Sequence, residues 1–144
     1  MKKTAMISIV LCSLFLIGAR GCDADRTVLI VGHSLSTENN SNGYQGWPHF
    51  FRDICGSECD TFNYSIWGSS LLSAEDQIEQ AVADGVNPDV IIIDSGHNDC
   101  MWHDWSDPGD PSDVQTRFED LLDTAVATGA DVFFVIFLLP LLTN

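Results

Sequence analysis

Apolar positions along this chain follow two alternating rhythms. Thr27–Val31, Thr61–Ile66, Val90–Ile93 and Val132–Leu138 are short stretches carrying Val, Ile and Phe, the pattern of strands. Between them the apolar spacing becomes helical. Trp47-Pro48 opens a helix with proline in its first turn and Phe50, Phe51 and Ile54 available to bury. A second helix is predicted from Ser73, with Ile78, Ala81 and Val82 on one face and Gly85 at its end. Ser112 to Gln115 reads as a capping box. The helix it starts carries Val114, Phe118, Leu121, Leu122, Ala125 and Val126 and ends at Gly129. Strands that are apolar throughout, rather than alternating, are buried on both faces. That predicts a parallel sheet between helical layers, and such sheets carry their reactive groups in loops beyond the strands' carboxyl ends.

The first 21 residues stand apart from this alternation. Lys2 and Lys3 precede an apolar run from Ala5 to Ile17, then the small residues Gly18, Ala19 and Gly21. That order reads as an export signal, too short for a membrane-spanning helix of roughly 20 apolar residues. Residues 22–26 form a short linker, and 27–144 form one domain. Ala19-Arg20-Gly21-Cys22 resembles a bacterial lipobox, in which Cys22 would be lipid-modified, although Arg20 departs from that pattern. Ordinary cleavage after Gly21 is the alternative. The expected location is periplasmic, cell-surface or secreted.

Cleavage after Gly21 removes Lys2, Lys3 and Arg20, leaving Arg26, Arg52 and Arg117 against 21 acidic residues. Nucleic acid is therefore excluded as a partner, since phosphate binding needs clustered basic groups. An anionic lipid surface would repel the domain, so membrane contact is expected only through an N-terminal lipid. Export also permits a disulfide between Cys55 and Cys59. One such pair falls short of a zinc site. The series Asp104, Asp107, Asp110 and Asp113 offers oxygen ligands, but its spacing departs from a calcium loop and prolines interrupt it, so a solvated loop is expected. No metal or organic cofactor is implied.

The candidate chemistry sits where the predicted strands end. Val28 to Val31 runs into Gly32-His33-Ser34-Leu35-Ser36. Asn63-Tyr-Ser-Ile-Trp-Gly68 closes the second strand, and Gly96-His97-Asn98-Asp99 follows the third. In this order the three blocks resemble those of the SGNH/GDSL hydrolases, esterases that use a serine nucleophile, over about residues 27–140. The resemblance implies a three-layer α/β/α flavodoxin-like parallel sheet, incomplete at the C-terminus. It also implies that Ser34 is the nucleophile and that the N–H groups of Ser34 and Gly68 join Asn98 in an oxyanion hole. Asn63 and Asp99 would be supporting residues. His33 stands where the family has aspartate, and a structural role in the turn is expected for it.

The family's fourth block, Asp-x-x-His, supplies the catalytic base. No histidine follows His103 here. His97 and His103 are the candidate substitute bases, and the sequence reads as a fragment or early-terminated product. The expected activity is therefore hydrolysis of an acyl or acetyl ester, on a small molecule or a polysaccharide, weak or absent in this chain. The alternative is a non-catalytic carbohydrate-binding module on the same fold, with Trp102 and Trp105 stacking on sugar.

Overall fold

The computed structural model describes residues 26–38, 45–101 and 111–135. Its elements, in chain order, are β1 (Arg26–Gly32), α1 (Trp47–Cys55), a 3-10 turn (Gly56–Glu58), β2 (Cys59–Asn63), α2 (Leu71–Ala83), β3 (Val90–Asp94), α3 (His97–Met101), α4 (Pro111–Ala127) and β4 (Asp131–Phe134). The four strands form one parallel sheet in the order β2-β1-β3-β4. β1 and β3 lie in the middle, with Val28 opposite Val90 and Gly32 opposite Asp94. Both central strands are buried nearly throughout, which is why their sequences show no polar alternation.

Successive side chains on a strand point to opposite faces, and this alternation divides the core in two. Leu29, Val31, Ile91 and Ile93 pack under α2 and α4 with Leu71, Ala74, Ile78, Ala81, Leu121 and Ala125. Val28, Ile30, Val90 and Ile92 face the other way, onto Phe51 of α1, with Trp47 at the edge of that cluster. The result is the three-layer α/β/α arrangement, with α1 on one face and α2 and α4 on the other.

Several boundaries and faces differ from the sequence expectation. β2 runs Cys59–Asn63 rather than from Thr61 to Ile66, because the chain leaves the sheet after Asn63, whose own side chain turns back on the backbone: Ser65 N–H donates to Asn63 Oδ1 at 3.0 Å. α2 begins at Leu71 rather than Ser73. Its N-cap is Ser70, whose Oγ accepts the Ser73 N–H. Gln77 is buried on that helix where Val82 was expected, and Val82 is exposed. On α1, Phe51 alone of the three apolar candidates is buried, while Phe50 and Ile54 face solvent. Phe118 and Val126 of α4 are exposed as well. In each case a helix contacts the sheet over a narrower stripe than its apolar content suggests. α4 starts at Pro111, so Ser112 lies inside its first turn rather than ahead of it. β4 is described only as far as Phe134, and 136–144 lie outside the described residues.

Cys55 and Cys59 form a disulfide that ties the end of α1 to the start of β2. No helix among the described residues is long and apolar enough to cross a membrane.

Candidate active site

The three sequence blocks converge because β2, β1 and β3 are adjacent and parallel, so their carboxyl ends share one edge at spacings of about 5 Å. β1 ends at Gly32 and the chain turns sharply. The turn closes through Ser36 N–H to His33 O at 3.0 Å, backed by Ser36 Oγ to the same carbonyl at 3.0 Å. It is fastened to β3 by His33 N–H to Asp94 O at 3.1 Å. Ser34 is half-buried in this turn. Among the described residues, neither its hydroxyl nor its backbone N–H is engaged in a hydrogen bond.

The second loop is laced to the first. Asn63 Nδ2 donates to Ser36 O at 2.8 Å, and Ser69 Oγ donates to Gly32 O at 2.6 Å. Gly68 sits at the exposed tip of this loop with φ 78°, a left-handed conformation that costs glycine little. Its N–H makes no hydrogen bond among the described residues. The third loop closes onto the second. Asn98 Nδ2 donates to Ser69 O at 2.8 Å, and Asp99 Oδ2 accepts the N–H of Leu71, the first residue of α2, at 3.0 Å. A carboxamide nitrogen carries two protons, so Asn98 is anchored by one and keeps the other for a further acceptor.

His33 is buried beneath the serine. Its Nδ1 accepts the Leu35 N–H at 3.2 Å, while Nε2 lies 3.5 Å from Asp94 Oδ1. Both ring nitrogens are thus directed at groups other than the Ser34 hydroxyl. Asp94 is equally buried, and its Oδ2 accepts the Trp47 indole N–H at 2.9 Å. The His97 ring packs against His33 with centroids 5.6 Å apart, and no hydrogen bond joins His97 to Ser34 among the described residues. His103, Cys22, Trp102, Trp105 and the acidic stretch from Asp104 to Asp110 lie outside the described residues. Among the described residues no cluster of side chains is arranged to hold a metal ion.

Burial pushes the His33 imidazole below its ordinary value. The Asp94 and Asp99 carboxylates oppose that shift, and His97 adds to it. A histidine held neutral by the fold takes up its proton more readily once unfolded, near pH 6.5. Stability is then lost as the pH falls below that value toward the lower folded one, by at most about 1.4 kcal/mol per pH unit from this residue. Chemical denaturation between pH 8 and 5.5 should therefore show a decline that His33→Gln flattens. Parallel declines in the two proteins would remove His33 as the cause.

The GDSL-like lipase/acylhydrolase family matches residues 28–144, nearly the whole chain after the N-terminal segment. The chain belongs to this family. Solved SGNH-type structures share its fold. TesA superposes with a TM-score of 0.65 at 24% identity, over 80% of this chain and 62% of TesA. The esterase EstA from Pseudoalteromonas sp., in a structure inhibited by monoethylphosphonate, gives 0.61 at 24% identity, covering 81% and 63%. The acetyl xylan esterase AlAXEase gives 0.59 at 18% identity, covering 75% and 56%. This GDSL-family chain thus spans less than two thirds of each of those structures. No curated protein matches it.

Sequence reasoning passed over Gln77, Ser69 and Asp94. Asp94 and Gln77 did leave a signal: each is a polar residue set into an apolar pattern, one closing the Val90–Ile93 run and one between Ala74 and Ala81 on the buried side of α2. Ser69 left none, being one serine of a Ser-Ser pair.

Proposed function

We propose that this GDSL-family chain is an exported serine ester hydrolase in which Ser34 attacks the acyl carbonyl. The attack forms a bond from Oγ to the carbonyl carbon, and the Ser34 proton passes to a base. The negative charge that develops on the carbonyl oxygen is met by the N–H groups of Ser34 and Gly68 and by the second Nδ2 proton of Asn98. Collapse expels the alcohol with a proton, and water then releases the acid and restores Ser34. What supports this reading is that the loops bearing Ser34, Gly68 and Asn98 leave one edge of the sheet and are hydrogen-bonded in series, while the Ser34 hydroxyl and the Ser34 and Gly68 N–H groups are unengaged among the described residues. An acetylated or acylated polysaccharide fits as substrate as well as a small ester, since AlAXEase is an acetyl xylan esterase.

The base is the weak point of the chemistry, because the sequence carries no Asp-x-x-His after its third block. His97 lies inside the third block and His103 four residues beyond it. Incubation with an aryl fluorophosphonate should give one adduct, on the peptide containing Ser34, and Ser34→Ala should give none. An equal adduct on Ser34→Ala would overturn the assignment. The same mass spectra of exported protein read whether residues 1–21 have been removed and whether Cys22 carries lipid; retention of residues 1–21 refutes export by cleavage.

A further inference from the structure

Gln77 closes a gap that the sheet leaves at the serine turn. β1 and β2 pair from Arg26 opposite Cys59 to Ile30 opposite Asn63, after which β2 leaves the sheet. The ladder is continued on one side only: Tyr64 N–H donates to Ile30 O at 2.9 Å and Ile66 N–H to Gly32 O at 3.0 Å. The Gly32 N–H has no strand to receive it. Gln77, 3% exposed and reaching up from α2, accepts that N–H on Oε1 at 2.8 Å and donates Nε2 to the Gly32 carbonyl at 3.2 Å. Its carboxamide thus takes the place of a missing peptide unit, matched to Gly32 on both sides. Ser69 Oγ completes the carbonyl's partners at 2.6 Å. Gly32 is two residues from Ser34, and the intervening His33 is itself bonded to Asp94 O.

We propose that Gln77 is a positioning residue, clamping the Gly32 peptide so that the turn presents Ser34 in its reactive orientation. This rests on the reading of Ser34 as nucleophile. The clamp needs a donor and an acceptor on one planar group, and aspartate, leucine or a charged glutamate cannot supply both. A protonated carboxyl can, with its O–H toward Gly32 O and its C=O toward Gly32 N–H. Burial raises the pKa of a carboxyl, which brings that rescue into an accessible range. Gln77→Glu is therefore a near-isosteric variant whose clamp is switched by pH.

The test uses the whole chain and two readouts, each expressed relative to wild type at the same pH. The first is hydrogen exchange of the Gly32 and Ser36 amides by NMR. The second is the rate of Ser34 phosphonylation by an aryl fluorophosphonate. In Gln77→Glu at pH 8, Gly32 exchange should be at least tenfold faster and phosphonylation at least fivefold slower. Both ratios should return toward one at pH 5. Gln77→Leu should show the pH 8 defects at every pH, and if it fails to fold, Gln77→Glu decides. Ratios that stay at one across this range overturn the proposal. So does a defect in Gly32 exchange that leaves phosphonylation untouched. Should wild type take no label at all, the nucleophile reading falls and the positioning role falls with it, whereas a labelled wild type with unaffected variants removes Gln77 alone.

Discussion

Ser34→Ala is expected to remove the serine-dependent part of aryl-ester hydrolysis by this chain completely, and Asn98→Ala to lower it about 10²–10³-fold. The two effects have different origins. Without Oγ no acyl-enzyme forms, and the residual rate is that of water in the site. Without the Asn98 carboxamide the acyl-enzyme still forms, but one donor to the developing oxyanion is lost, and so is the link to Ser69 O at 2.8 Å. Initial rates on 4-nitrophenyl acetate for the three proteins check this. Hydrolysis by Ser34→Ala at the wild-type rate would remove the nucleophile, and an unchanged rate for Asn98→Ala would remove the donor.

Gly32→Ala is expected to destabilise the fold strongly. A Cβ built on Gly32 would stand 2.2 Å from the carbonyl oxygen of Asp94 and 2.5 Å from Ser36 Oγ. The first is backbone of a buried central strand and cannot swing aside. Relief would require β1 and β3 to separate, at a cost of at least about 3 kcal/mol, a large share of the 5–15 kcal/mol that holds an ordinary domain folded. By contrast, a Cβ at Gly68 meets nothing within 4 Å. Gly68→Ala should therefore cost only the left-handed backbone penalty, about 1 kcal/mol. Thermal unfolding followed by circular dichroism separates the pair: a Gly32→Ala protein melting within a few degrees of wild type would refute the packing argument.

The parallel sheet was legible because β1 and β3 are buried on both faces, and burial leaves an unmistakable mark on composition. The first and third site loops were legible because each follows such a strand, whereas the second follows β2, an edge strand that is only partly buried. Less visible was everything decided by a neighbour's shape. Val82, Phe50 and Ile54 satisfy helical periodicity yet face water, since periodicity reports which residues share a face and not how wide the contact is. The early end of β2 depends on Asn63 turning onto Ser65 and Ser36, a preference any asparagine carries and few express. Gln77 reads locally as an interruption of an apolar stripe. Its meaning comes from an unpaired N–H 45 residues away in the chain.

The order β2-β1-β3-β4 also has a temporal consequence. The serine turn is encoded early, yet its fastenings arrive late: Asn63 and Gln77 must follow it out of the ribosome, then Asp94. β1 must remain unmatched on one side until β3 has been synthesised and has crossed back to it. Closing so long an interval is slow in parallel sheets. The hydrogen bonds that hold the Ser34 turn can therefore close only after β3 has been made. A half-emerged chain would carry Ser34 in a turn that still lacks its partners on β3 and α2.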